Sequence, residues 1–184
     1  MKKLIITANP SSKGFTHKIA DKLVELSKAK WDSVEVLNLY KTDLKQNFLT
    51  YEDKEEMKET DEITKKIQEK ISSSDEIVFV FPIWWGDTPA IMKNFIDCNF
   101  WAWFAFKYEN WKSVWLLKWK TARIIATAWG PSFFYKFLLH IQLMWNFNRI
   151  WFCGIKQKSF TVFGWMDSSK TDKNKYLEEI QSLV

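Results

Sequence analysis

Short, continuously apolar segments that alternate with helical patterns are the strongest constraint on the fold. Segments 3–8, 75–81 and 121–127 lack the alternation of a half-exposed strand, which is typical of strands buried on both faces of a parallel sheet. Segments 33–40 and 152–163 complete five predicted strands. Amphipathic stretches such as 15–29, 52–70 and 132–146 predict the helices between and after them. We therefore expect an α/β fold with a doubly wound five-stranded parallel sheet, order 2-1-3-4-5, and helices on both faces.

Length and composition place this fold in a single domain. The chain has 184 residues, so residues 1–184 are expected to form one domain, with an irregular aromatic insertion at about 99–119. Hydrophobic residues make up 47% of the chain and charged residues 27%, which excludes a disordered or collagen-like chain. No apolar run is long enough to predict a transmembrane helix.

Cysteine and histidine usage bears on metals and on the cellular compartment. Cys98 and Cys153 fit neither a metal-ligand spacing nor a disulfide framework, which indicates a reducing, cytoplasmic location. With two histidines in the chain, no metal site is predicted.

The loops after the first, third and fourth predicted strands are the expected place for a ligand, because ligands of such sheets bind beyond the carboxyl ends of the strands. Residues 11–17 open a helix whose N–H groups, with the hydroxyls of Ser11 and Thr16, suit a phosphate. This loop has neither a GxxxxGK[ST] nor a GxGxxG pattern, and any helix start offers similar groups. Residues 82–89 carry two adjacent tryptophans, which can flank a flat ring or close the end of the core. Residues 127–131 are mostly small, which allows backbone to approach a ligand.

Several motifs also occur in an order that a known family shares. They are Ala8-Asn9-Pro10 with Phe15-Thr16, Phe48-Leu49-Thr50, Phe81-Pro82-Ile83-Trp84-Trp85 with PAIMKNFID at 89–97, Phe104-Ala105-Phe106-Lys107-Tyr108, and Phe152-Cys153-Gly154. In these motifs, over nearly its whole length, the chain resembles the NAD(P)H:quinone oxidoreductase family, which has a flavodoxin-like fold. The resemblance implies a noncovalent flavin, FMN or FAD, that takes hydride from NAD(P)H at N5 and reduces a quinone-like acceptor by two electrons. It also implies a homodimer in which the Phe104-to-Tyr108 loop completes the partner's site.

The resemblance assigns roles to residues at the three strand ends. The loop after the first strand matches positions that hold the flavin phosphate and ribityl chain, residues 83–86 match positions that meet the isoalloxazine, and residues 127–130 match the loop beside its pyrimidine end. Tyr135 matches a tyrosine that donates toward the reduced flavin, and His140 matches a nearby histidine one residue out of register. The predicted cofactor-binding residues are Asn9, Ser11, Phe15, Thr16, Pro82, Ile83, Trp84, Trp85, Gly86, Thr127, Ala128, Trp129 and Gly130, and the predicted catalytic residues are Tyr135 and His140.

Glycine and tryptophan occur in an inverted ratio. The chain has 5 glycines and 12 tryptophans, whereas average usage would give about 13 glycines. We hypothesise that UGA codons read as glycine in the native cell have been translated as tryptophan, at positions where the resemblance or a helix end calls for glycine. The hypothesis covers Trp31, Trp103, Trp111, Trp115, Trp119, Trp129 and Trp151. Trp84 and Trp85 match the family as tryptophans, whereas Trp101, Trp145 and Trp165 stay unassigned.

Two other functions fit some of the residues. Between residues 101 and 123, aromatic side chains alternate with five cations in a chain of net charge +5, a pattern suited to single-stranded nucleic acid or a membrane surface. The resemblance also extends to flavoprotein subunits that regulate a potassium-efflux antiporter. The primary prediction is an enzyme of the NAD(P)H dehydrogenase (quinone) type, without a nucleic-acid partner.

Overall fold

A computed structural model describes residues 1–52, 60–138, 140, 145 and 149–184. Along the chain its regular elements are β1 Lys2–Thr7, α1 Phe15–Ala29, β2 Ser33–Asn38, α2 Glu62–Ser73, β3 Glu76–Pro82, α3 Ala90–Asn99, β4 Phe106–Glu109, β5 Lys112–Trp115, β6 Thr121–Thr127, β7 Lys156–Phe163 and α4 Lys173–Glu179. Five strands form a sheet of order β2-β1-β3-β6-β7, and each neighbouring pair is parallel. Counted within the sheet, this is the order 2-1-3-4-5, so the predicted fold is confirmed.

The sheet is covered on both faces, since nearly every position of its central strands β1, β3 and β6 is buried. Side chains of adjacent strand residues point to opposite faces, and accordingly Ile6 and Phe79 belong to one buried cluster whereas Ile5 and Val78 belong to another. The first cluster includes residues of α2 and α3, and the second includes residues of α1. Burial of both faces explains why the central strands need continuous apolar runs.

Trp145 is a core residue of the first cluster. Its side chain is fully buried, and its ring stacks on Phe81 with 5.2 Å between centroids and lies 4.9 Å from Phe79. Aromatic pairs at these separations add to the stability gained by burial. Trp145 therefore anchors the chain before β7 to the central strand β3.

The helices differ from the predicted stretches mainly at their ends. The expected helix over 52–70 is present as α2, which Asp61 caps by accepting the N–H of Thr64 at 2.8 Å, while residues 53–59 lie outside the described residues. The expected helix over 132–146 includes a π-helical turn at Phe134–Leu138. Its residues 139, 141–144 and 146 are likewise outside the described part.

The insertion at 99–119 contains an antiparallel hairpin, where the sequence indicated irregular structure. β4 and β5 pair in a two-stranded sheet of their own, with Glu109 opposite Lys112. No helix within the described ranges is long and apolar enough to cross a membrane.

Candidate functional site

Three loops lie side by side at the carboxyl edge of the sheet, because backbone hydrogen bonds connect the strands from which they leave. The N–H of Ala8, just after β1, donates to Val80 of β3 at 3.1 Å, and the N–H of Ile83, just after β3, donates to Thr127 of β6 at 2.7 Å. The predicted site residues at the three strand ends are therefore brought to one edge. We call these loops the β1 loop (residues 8–16), the β3 loop (residues 83–88) and the β6 loop (residues 128–131).

The β1 loop is held in shape by Asn9. Its side-chain amide donates to the Thr16 hydroxyl at 2.9 Å, and its side-chain oxygen accepts the Ser11 N–H at 2.9 Å. Thr16 is fully buried, whereas Ser11 is exposed and Phe15 half-buried. The hydroxyl of Thr16 therefore supports the loop, while the N–H groups of Phe15 and Thr16, at the first turn of α1, have no hydrogen-bond partner among the described residues.

The β3 loop contains a tight turn with two left-handed residues. Trp84 and Asp87 exchange both backbone hydrogen bonds, at 2.9 and 3.0 Å, and the central residues Trp85 and Gly86 have φ of 50° and 77°. Positive φ at both central positions defines a type I′ turn. The N–H groups of Trp85 and Gly86 have no partner in the described part of the chain, so they are available to a ligand.

Four of the predicted cofactor-binding residues are buried at the strand ends. They are Pro82, Ile83, Thr127 and Ala128. The N–H groups of Ile83 and Ala128 are used within the sheet, by Thr127 at 2.7 Å and Phe163 at 2.8 Å. These residues position the loops, and the free backbone donors belong to their neighbours.

The β6 loop contacts Tyr135. The N–H of Gly130 donates to the Tyr135 hydroxyl at 3.3 Å, which leaves the hydroxyl proton of Tyr135 free for another acceptor. Trp129 is exposed, and its N–H has no partner among the residues described. Gly164, just after β7, packs closely against the β6 loop. A Cβ at position 164 would lie 2.6 Å from the Gly130 carbonyl oxygen.

His140 makes no hydrogen bond to the three loops within the described ranges. It is exposed, with φ of 48°. Its predicted catalytic role thus gains no support from the geometry.

An ion pair that the sequence did not indicate fixes the β3 loop. Arg149 donates from both terminal nitrogens to the Asp87 carboxylate, at 2.9 and 2.7 Å, and Thr88 N–H donates to the same carboxylate at 2.6 Å. Burial alone would raise the pKa of Asp87, but the hydrogen bonds from Arg149 and Thr88 outweigh it and hold this pKa below its ordinary value. The pair is separated by 62 positions, so no local pattern could have revealed it.

Three of the five cations between residues 101 and 123 form ion pairs or hydrogen bonds with other groups of the same chain. Lys107 pairs with Glu109 at 2.6 Å, and Arg123 pairs with the buried Glu76 at 2.8 Å. Lys120 is buried and donates to a backbone carbonyl in α2 at 2.8 Å. Of the five predicted cations, Lys112 and Lys118 are exposed. These two exposed lysines are few for a nucleic-acid surface, which needs many phosphate contacts.

Other chemistry is limited in the part of the chain that the structure describes. No group of three or more His, Cys, Asp or Glu side chains that could hold a metal ion occurs there. Burial raises the pKa of Cys98 to about 11, with smaller contributions from Asp97 and Asp61, and burial raises that of Cys153 to about 12. Neither thiol is a thiolate at neutral pH, and therefore neither is an activated nucleophile.

A cavity of about 730 Å³ lies between residues 45–51, the start of α2 and residues 98–104. Its lining includes residues 48–50, one of the motifs of the resemblance, but none of the residues of the three loops. It is therefore separate from the candidate site at the strand ends.

The fold and the three loops define a doubly wound α/β protein whose candidate ligand site is at the carboxyl ends of its parallel strands, where such folds bind ligands. A family described as having the flavodoxin-like fold matches residues 1–184. An uncharacterized NAD(P)H oxidoreductase of Haemophilus influenzae is 32% identical over 176 residues, which cover 89% of this chain and 84% of that protein. The chain belongs to the NAD(P)H:quinone oxidoreductase family with the flavodoxin-like fold.

Solved structures show the same architecture. The crystal structure of Smu.1420 from Streptococcus mutans matches with a TM-score of 0.85 at 27% identity, covering 100% of this chain and 98% of that one. An FMN-dependent NADH-azoreductase of Bacillus anthracis, solved in complex with FMN, matches with a TM-score of 0.75 at 23% identity over 99% of this chain and 98% of that one. At that identity, the second likeness bears on the fold alone.

Proposed function

We propose that this protein is a flavin-dependent NAD(P)H oxidoreductase that passes two electrons to a quinone-like acceptor. The observation that carries the proposal is the group of unpaired backbone N–H donors on three adjacent loops at one edge of the sheet. Family membership and the NAD(P)H oxidoreductase relative support the reaction class, and FMN is the first flavin to test because the Bacillus anthracis neighbour was solved in complex with it. When bound, the flavin would supply the hydride chemistry, accepting hydride from NAD(P)H and reducing the acceptor.

The chain's own residues would bind and orient that flavin. The first turn of α1, with unpaired N–H groups and a partial positive charge, fits a phosphate. The N–H groups of Trp85, Gly86 and Trp129 fit the polar edge of a flat ring. Since Tyr135 accepts a hydrogen bond from Gly130, its own proton can stabilise negative charge that develops on a reduced ring.

A homodimer is a further part of the proposal. The hairpin insertion carries the Phe104-to-Tyr108 segment, in which Tyr108 is exposed, and this segment is proposed to complete a second copy's site. Regulation of a membrane antiporter stays an alternative prediction. Co-purification of such an antiporter would favour it, whereas quinone reduction alone is compatible with both roles.

The test is reconstitution followed by turnover. Purified protein is titrated with FMN and, separately, with FAD, and NAD(P)H oxidation is then measured with and without a quinone. Y135F should lower kcat, by up to about a hundredfold for a lost donor to developing charge, whereas Y40F, outside the three loops, should leave it unchanged. Protein that binds neither flavin, or binds one without quinone-dependent NAD(P)H oxidation, would overturn the proposal.

A further inference from the structure

Arg149 is fixed by the core on one side and holds the β3 loop on the other. Its side chain is only 7% exposed, and its guanidinium lies 5.2 Å from the ring centre of Trp145, which is itself stacked on Phe81. A guanidinium over an aromatic face is attracted to it. The bidentate contact with Asp87 thus connects the β3 loop to the core.

The β3 loop needs such a contact because its backbone is strained. Trp85 has φ of 50° at the first central position of the type I′ turn, a conformation that glycine and asparagine adopt more readily. Strained backbone persists where the surrounding structure over-determines it. The Asp87 carboxylate also accepts the Thr88 N–H at 2.6 Å, just after the turn.

We propose that Arg149 is a positioning residue of the flavin site, acting through Asp87 to aim the N–H groups of Trp85 and Gly86 at the polar edge of the flavin. This inference rests on the proposed function. A bidentate pair specifies direction as well as distance, so a lysine at position 149 cannot replace it.

The test compares FMN affinity in R149Q, R149K and D87N with the parent chain, and uses R123Q as matched control. R123Q also removes an arginine from a carboxylate, but at the opposite edge of the sheet. We expect R149Q and R149K to raise the FMN Kd about tenfold or more, about 1.4 kcal/mol for each factor of ten, and R123Q to leave it unchanged. If R149Q does not fold, the FMN Kd of R149K tests the inference in its place.

A pH profile separates positioning from general stability. The charged groups that act on Asp87 are Arg149 and Lys93, so the carboxylate is the member that titrates in acid. FMN affinity of the parent should fall as the pH drops through the lowered pKa of Asp87, and D87N should lack this fall. Parent-like FMN affinity in R149K, or an unchanged profile in D87N, overturns this inference, whereas a parent that binds no flavin overturns the proposed function instead.

A second inference comes independently from backbone conformation. Among the described residues, seven other than glycine have positive φ, and five of them are tryptophans. Such a φ is an outlier for a bulky residue, and each of these five rings is also exposed. The seven residues with positive φ are Trp31, Trp85, Trp103, Trp111, Trp165, Asn110 and His140.

Two of these tryptophans occupy positions where glycine is the usual residue. Trp31 follows the last residues of α1 in a Schellman arrangement: its N–H donates to Lys28 at 2.9 Å and the next N–H donates to Ser27 at 3.0 Å. Asn110 and Trp111, with φ of 48° and 66°, form the two-residue turn of the β4–β5 hairpin. Asn-Gly is the preferred pair for such a turn.

We infer that the native polypeptide carries glycine at positions 31, 103, 111 and 165. The backbone thereby adds Trp165, which the sequence left unassigned. Trp85 is excluded because strain at a ligand-binding loop is common, and Trp145 because it is packed in the core. Four other tryptophans covered by the codon hypothesis do not have a positive φ: Trp115, Trp119, Trp129 and Trp151. The assignment of glycine to these four positions depends on the codon hypothesis alone.

Peptide mass spectrometry of the protein from the cells that encode it tests this inference. Peptides that contain positions 31, 103, 111 and 165 should each be lighter by the difference between tryptophan and glycine, and the peptide with position 145 should keep tryptophan. Tryptophan at the four left-handed positions overturns the inference, whatever the protein's activity.

Discussion

Restoring glycine at positions 31, 103, 111 and 165 should stabilise the folded chain. A left-handed backbone costs a residue with a side chain roughly 1–2 kcal/mol, and the greater freedom of glycine in the unfolded chain takes back about 0.4–1 kcal/mol. The net gain is about 0.5–1 kcal/mol at each site, or about 2–4 kcal/mol when the four sites are added as independent. Since a domain is stable by about 5–15 kcal/mol, this gain is readily measured.

The assay is urea unfolding followed by far-ultraviolet circular dichroism, because the substitutions remove fluorescent rings. The midpoint should rise with little change in slope. W119G is the matched control: Trp119 is exposed to the same 66% as Trp103 but does not have a positive φ, so its replacement should not stabilise. A fourfold variant that is no more stable than the parent, or a gain in W119G as large as that at Trp103, would refute the backbone argument.

Three further predictions follow from burial, close packing and charge. Because burial raises the pKa of Cys98 and Cys153, iodoacetamide should label them only after unfolding, and rapid labelling of folded protein, read by intact mass, would contradict this. G164A should press a methyl group against the Gly130 backbone of the β6 loop. The substitution should destabilise the chain by about 1–3 kcal/mol and weaken FMN binding. Parent-like FMN affinity would show that the β6 loop does not hold the flavin. The pKa of Asp32 is lowered by the hydrogen bond from Lys3 and then by the N-terminus, so its stabilisation is present above pH 3.8 and lost as the pH falls below that. D32N should therefore show a shallower loss of stability in acid melts, and identical slopes would disprove the contribution.

The parts of the fold that depend on short stretches of sequence could be predicted. Strands β1, β3 and β6 are apolar over most of their length because both of their faces are buried, and the order of the sheet follows from crossovers between parallel strands. The edge that gathers the three loops is fixed by the same topology. Tyr135 was predicted through the resemblance; its hydroxyl accepts the Gly130 N–H of the β6 loop, and its catalytic role stays a prediction.

The parts of the structure that depend on distant contacts, or on tryptophans at positions where we infer glycine, could not be predicted from the sequence. Arg149 and Asp87 are far apart in the chain, and neither stands out locally. The β4–β5 hairpin was missed because its turn reads Asn110-Trp111, whereas Asn-Gly would have signalled it. The hydrogen bond that the Thr16 hydroxyl accepts from Asn9 could not be predicted either, because it depends on how the β1 loop closes; the cofactor contact of Thr16 stays a prediction.

The position of bound FMN in a crystal of the protein is the decisive measurement for the proposed site. We expect density for one flavin at the carboxyl edge of the sheet, with its phosphate at the first turn of α1 and its ring edge against residues 85, 86 and 129. Flavin bound elsewhere, such as in the cavity between residues 45–51 and 98–104, with the three loops left free, would contradict it.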